Sequence, residues 1–135
     1  MAPRRAPDPD GTDPRQALGR TAEAAAAAHL SRAGLTVLAR NVRFREGEID
    51  LVCRDRDVLV FVEVKGRRTT WGDAPGAAVS PAKQRRLVRL AARYLRRARL
   101  EGARCRFDVV AVTVDAAGQC RVRHLPGAFD ATGLA

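Results

Sequence analysis

The chain has 135 residues, 46% hydrophobic and 30% charged, a composition that supports one globular core and excludes two independent domains, a coiled coil or a disordered polymer. Its longest apolar stretches, 24–28 and 58–62, fall far short of the roughly 20 residues that cross a bilayer, and no charged-then-apolar leader opens it, so a cytoplasmic protein without membrane contact is expected. Lys plus Arg number 25 against 15 for Asp plus Glu, a net charge of +10 with ten bases against one acid between Lys83 and Arg106, which predicts a polyanionic partner: DNA, with RNA as the other option.

Residues 1–13 hold three of the seven prolines and no apolar periodicity, and read as a flexible leader. Asp13 followed by Pro14 is an N-cap with proline at the first helical position, and Gly34 is a stop, giving a helix over about 14–33. Leu18, Ala22, Ala25, His29 and Ala33 share one side of it. The adjoining row is Gly19, Glu23, Ala26 and Leu30, so Glu23 borders the buried face.

Three strands follow, 36–44, 48–54 and 58–65, joined by turns at Glu46-Gly47 and Asp55-Arg56-Asp57 and arranged as an antiparallel meander. The third, VLVFVEVK, puts valines on one face and Leu59, Phe61, Glu63 and Lys65 on the other. The segment 66–79 is a surface loop, whose Trp71 either stacks on a base or anchors the loop. Ser80-Pro81 starts a second helix through Arg99, with Leu87, Leu90, Ala91, Tyr94 and Ala98 inward and Lys83 beside them. Arg85, Arg86, Arg89, Arg93, Arg96 and Arg97 form the outer side, with no acid among them, and are candidates for phosphate contact. Residues 106–114 and 119–125 make a final hairpin. The ordered domain is 14–126 and a flexible tail is 127–135. The fold class is α/β, a mixed central sheet flanked by helices in the order α-β-β-β-α-β-β.

The candidate chemistry lies in Glu48, Asp50, Glu63 and Lys65. If the second and third strands pair so that opposing residue numbers sum to an odd number such as 113, Asp50 faces Glu63 and Glu48 faces Lys65 across about 5 Å; an even sum turns them apart. Two carboxylates that close repel, and a divalent cation relieves this, with Mg²⁺ (or Mn²⁺) matching oxygen ligands. A lysine two residues on completes a phosphodiester-cleaving set. Glu23 is placed to hold the metal's outer waters or a second ion, and Glu48 either supports the site from outside the direct metal contacts or is an exposed turn acid. Only Lys65 and Lys83 of the 25 basic residues are lysine, marking positions where a compact ammonium is not replaced by a guanidinium. Three cysteines without CxxC spacing predict small buried residues, Asp108 a structural hydrogen-bonding role, and His29 and His124 isolated structural or exposed positions.

The order Glu23, GEIDLV with Asp50, then FVEVK with Glu63 and Lys65 resembles the PD-(D/E)XK nuclease superfamily, without the proline of its name. The run from Leu18 to Val112, with RNVRFREGEIDLV, VFVEVKGR, AVSPAK and RFDVVAV, resembles the YraN family of endonuclease-like proteins, which is similar to archaeal Holliday junction resolvases. The resemblance implies a restriction-endonuclease-like core and Mg²⁺-dependent cleavage of DNA, including branched DNA. By residue it implies metal ligation by Asp50 and Glu63, a catalytic Lys65 and an accessory Glu23. The competing expectation is a non-catalytic nucleic-acid-binding module of the same fold within a repair or recombination complex. A homodimer is left open.

Overall fold

A computed structural model describes residues 13–69 and 79–131. The elements are α1 (Pro14–Arg32), β1 (Thr36–Phe44), β2 (Gly47–Asp55), β3 (Val58–Arg68), α2 (Pro81–Arg97), β4 (Cys105–Val114) and β5 (Cys120–Phe129), in the order expected from the sequence. No helix among the described residues is long and apolar enough to cross a membrane.

Both helices begin as their first residues dictate. Asp13 Oδ1 accepts the Arg15 N–H at 2.8 Å ahead of Pro14, and Ser80 Oγ accepts the Lys83 N–H at 3.2 Å ahead of Pro81, each satisfying one of the donors that a helix start leaves open. Gly34 follows α1 at φ +99°, a conformation that favours glycine.

The five strands form one sheet in chain order, β1-β2-β3-β4-β5. β1, β2 and β3 are an antiparallel meander, β3 and β4 run parallel, and β4 and β5 make an antiparallel hairpin. The parallel pair requires a crossover, and α2 supplies it. Burial divides the core by face. Leu18, Ala22, Ala26, Ala27 and Leu30 of α1 pack on Leu51, Cys53, Val60, Val62, Val110 and Val112. Leu87, Leu90 and Ala91 of α2 pack on Ile49, Val52, Leu59, Phe61 and Phe107. A sheet covered on both sides needs apolar residues on both faces of its central strands, which is why β3 begins as an unbroken apolar run.

Besides a register shift in β1 between Val37 and Ala39, two places depart from simple alternation. In β2, Ile49 and Val52 both lie in the α2-side core, with Leu51 on the α1 side, and in β1 Ala39 and Val42 likewise both reach the α2 side. The strands switch face around Asn41, which has φ +51°, and Asp50; the ladder flanks these two with Arg40↔Leu51 and Val42↔Ile49. In β5 the strand continues past the expected end at Leu125 to Phe129. The register shifts between Phe107 and Val109, Gly127 takes φ +59° and its N–H reaches Asp108 Oδ1 at 2.9 Å. Beyond this bulge Phe129 stacks on Phe107 at 5.2 Å, so the strand outruns its expected end because an apolar aromatic lies on the far side of a glycine.

Asp108 is fully buried and has the structural role expected. It accepts from Arg106 Nε at 2.8 Å and Nη2 at 3.0 Å, and lies 2.7 Å from His124 Nε2. Arg106 also reaches Asp55 at 3.0 Å. These donors hold the Asp108 carboxyl below its ordinary value despite burial. The histidines, expected to be isolated, instead meet edge to face with centroids 6.3 Å apart; α1 and β5 bring them together, which chain distance conceals. Of the cysteines only Cys53 is the small buried residue expected, and Cys105 and Cys120 are exposed thiols at strand starts.

Candidate active site

The β2–β3 ladder pairs Leu51 with Val62, Val52 with Phe61 and Cys53 with Val60. Opposing numbers sum to 113, the odd parity on which convergence depends. The ladder ends at Leu51↔Val62, immediately before Asp50 and Glu63, while β3 continues against β4 as far as Arg68. Where the strands part, the Asp50 carboxylate takes the place of backbone: its Oδ2 accepts the Val64 N–H at 2.8 Å. Asp50 is thus fixed where the β2–β3 ladder ends, and its carboxyl lies within hydrogen-bonding reach of Glu63.

Glu23 arrives from α1 because that helix lies unusually close to β3. A Cβ built on Gly66 would stand 2.7 Å from the Ala22 Cβ and 3.5 Å from Leu18 Cγ, so the absence of a side chain at 66 and the smallest one at 22 set the approach. Glu23 follows Ala22 and projects half-buried at the border. Carboxylate oxygens of Glu23, Glu48 and Asp50 come within 4.8 Å of one another.

Glu48 departs from expectation. It lies past the end of the β2–β3 ladder and turns toward β1 rather than Lys65, bonding Arg43 Nε at 3.2 Å and joining Glu23. The acids therefore form two groups that share Asp50: Glu23, Glu48 and Asp50 on the α1 side, and Asp50 with Glu63 toward α2. An open cleft of about 430 Å³, lined by Gln16, Gly19, Arg20, Glu23, Asn41, Arg43 and Glu48, leads to the first group. Beside the second, on the face shared by Glu63 and its β4 partner Val109, lies a largely apolar groove of about 480 Å³ that includes Gln84, Leu125, Pro126 and Phe129.

Electrostatics follow from this crowding. Burial, then the Glu63 charge, push the Asp50 carboxyl from its ordinary 3.8 up to about 7, with Glu23 and Glu48 adding to the rise and the Val64 N–H opposing it. Glu63 is also raised by burial, opposed by Lys83, Arg86 and Lys65 in that order and by its hydrogen bond with Asp50. Glu23 is raised by burial, with Asn41 opposing and Glu48 and Glu63 reinforcing. The two lysines of the chain and Arg86 thus direct their charge at the same carboxylate. Lys83 does so from an exposed place in the first turn of α2, not from the inward stripe where the helical wheel sets it.

The outer arginines of α2 are less uniform than the sequence suggests. Arg93 pairs with Glu46 at 2.8 Å, an acid supplied by the β1–β2 turn. Arg97 stacks over Phe44, its guanidinium 4.2 Å from the ring centroid. The Arg86 side chain lies 3.4 Å from where a Cβ on Gly47 would be. Arg85, Arg89 and Arg96 are exposed on the helix surface. Trp71 lies outside the described residues. Asn41 was not singled out by its sequence, yet in the amide orientation that satisfies the network its nitrogen donates to Glu23 Oε2 at 2.9 Å and Glu48 Oε1 at 3.1 Å. Only its adjacency to the RFREGEID segment could have drawn notice.

A mixed five-stranded sheet with an acidic cluster at a strand divergence and cations at its rim defines the class of site. The match to known proteins agrees in extent: residues 22–112 match the family described as "Uncharacterised protein family UPF0102". Relatives include a UPF0102 protein of Symbiobacterium thermophilum, 53% identical over 84% of this chain and 97% of its own length. Another, from Anaeromyxobacter dehalogenans, is 52% identical over 90% of each chain, and one from Geobacter sulfurreducens is 40% identical over 90% of this chain and 94% of its own. The chain belongs to the UPF0102 family.

Proposed function

We propose that this protein is a metal-dependent endonuclease that hydrolyses phosphodiester bonds in DNA, four-way and other branched DNA among its substrates. The observation that carries the reading is the placement of Asp50 and Glu63 just past the end of the β2–β3 ladder, with Lys65, Lys83 and Arg86 acting on Glu63. The donor set fits a hard divalent cation such as Mg²⁺ or Mn²⁺: the oxygens of Glu23, Glu48 and Asp50 lie close together, Glu63 adjoins Asp50, and burial, reinforced by repulsion from Glu63, keeps Asp50 from ionising readily. Asp50 would be shared by any ion held here, with Glu63 or with Glu23 and Glu48 completing the ligands.

A bound divalent ion supplies Lewis-acid polarisation of a phosphate oxygen and a more acidic water. The remaining work falls to the chain's own groups. Lys65, two residues past Glu63 on the same strand face, stabilises negative charge developing on the phosphate and orients the attacking water. Lys83 and Arg86 neutralise non-bridging oxygens of the same or the next phosphate. Arg85, Arg89 and Arg96 hold the flanking backbone as charge contacts without base readout.

The test is cleavage of linear, single-stranded and four-way-junction DNA in Mg²⁺ or Mn²⁺ by wild type, Asp50→Ala and Lys65→Ala. Wild-type cutting reduced about 100-fold or more in both variants is expected. Variants that cut as well as wild type overturn the assignment. Binding without cutting by wild type points to the nucleic-acid-binding module instead.

A further inference from the structure

Asn41 joins three elements at the acidic cluster. It sits in β1 with a left-handed backbone at φ +51° opposite Asp50, and with its amide assigned in the orientation that satisfies the network it donates to Glu23 on α1 and Glu48 on β2. Two carboxylates drawn together without a counter-ion need a donor between them, and an NH₂ group with two hydrogens can serve both. A primary amide also has a property that no cationic side chain shares. Its oxygen and nitrogen occupy nearly the same space, so a half-turn about the Cβ–Cγ bond replaces a donor by an acceptor while leaving every neighbour in place.

We infer that Asn41 stands in for the cation: in the metal-free protein its NH₂ group holds Glu23 and Glu48 at their spacing, and on metal uptake its amide turns to offer Oδ1 to the ion instead. This rests on the metal-dependent reading above and adds to it a residue outside the Glu23, Asp50, Glu63 and Lys65 set. A donor aimed at a site that acquires positive charge is repelled, whereas the turned amide supplies the hard oxygen such an ion takes. The purely backbone alternative, in which Asn41 is present because asparagine tolerates positive φ, makes a different prediction.

The experiment is calorimetric titration of the full chain with Mg²⁺ and with Mn²⁺, for wild type, Asn41→Gly and Asn41→Asp. Glycine keeps the backbone conformation and removes the amide; aspartate keeps an oxygen at the same place and removes the donor. Asn41→Gly is expected to bind the ion about tenfold or more weakly. Asn41→Asp is expected to bind at least as tightly as wild type and to melt at a temperature that rises more steeply with Mg²⁺ than wild type does, because its metal-free state gathers another negative charge. The ¹⁵N side-chain resonance of Asn41 is expected to move as the site saturates. Asn41→Gly binding within twofold of wild type overturns the inference and leaves the metal reading standing; wild type that takes up neither ion overturns both.

Discussion

Asp50→Asn should make the metal-free protein more stable at alkaline pH, even though it removes a central residue of the site. The substitution preserves shape, and the amide oxygen can still accept the Val64 N–H. What it removes is a charge that burial and Glu63 disfavour. The direction follows from proton linkage. The Asp50 carboxyl titrates near 3.8 ordinarily and at about 7 in the folded chain, so between those values the folded state holds a proton that the unfolded state has released. Stability is therefore full below about pH 4 and falls as pH rises toward about 7. That interval, at about 1.4 kcal/mol for each pH unit, sets an upper bound of about 4 kcal/mol, and sharing of the proton with Glu63 brings the expected gain of Asp50→Asn at pH 8 to about 2–3 kcal/mol. In a domain of this size such a gain raises Tm by roughly 10 °C. Thermal and urea unfolding in EDTA at pH 4 and pH 8 measures it: the variant should match wild type at pH 4 and exceed it at pH 8. Equal stability at pH 8 would refute the strain assigned to the carboxylate pair, and with it the physical reason for a cation there.

Gly66→Ala places a methyl 2.7 Å from the Ala22 Cβ and should cost about 1–3 kcal/mol in urea unfolding, with Ala22→Gly in the same chain recovering part of the loss. Asp108→Asn leaves Arg106 and His124 without their buried anion and should cost about 3 kcal/mol or more at pH 7 by the same measurement. Because Asp108 ionises below its ordinary range, its contribution is present above about pH 4 and fades as pH falls, so the gap between the variant and wild type should narrow in acid. For DNA binding measured against salt concentration, Arg89→Ala should lower the slope of log K by about 0.9, the signature of one phosphate contact. Arg93→Ala, already engaged with Glu46, should lower it much less.

Much of the fold was legible because its signals are local. Asp13-Pro14 and Ser80-Pro81 mark helix starts within a few residues, and the turns at 46–47 and 55–57 are spelled by their own composition. The register of β2 on β3 could be reduced to a choice of parity, since the period of a strand leaves only two options for which faces coincide. The missed features depend on residues that meet only in the folded chain. Phe129 extends β5 because Phe107 lies opposite, His29 and His124 touch because α1 covers β5, and Arg93 is neutralised by an acid on a turn far from it in sequence. Glu48 is the clearest case: alternation alone sends it toward Lys65, but the strands switch face at Asn41 and Asp50 and the ladder ends, so its neighbour becomes Arg43.

That face switch also explains how one strand can serve two acidic groups. A regular β2 would put Glu48 and Asp50 on one surface and leave the other to apolar side chains, so that α1 and α2 could not both contribute to a single site. By leaving the β2–β3 ladder at Leu51, the chain carries Asp50 into the gap where the two strands part, where one carboxylate borders Glu23 and Glu48 on one side and Glu63 on the other. Desolvation of Asp50 follows from the same placement, inside the sheet rather than at its edge. An acid on the edge of an exposed strand would share neither burial nor neighbours and would ionise near its ordinary value. The raised Asp50 carboxyl and the joining of the α1-side acids to the α2-side cations are thus two consequences of one break in strand pairing. A substitution that repaired the pairing would be expected to abolish both together.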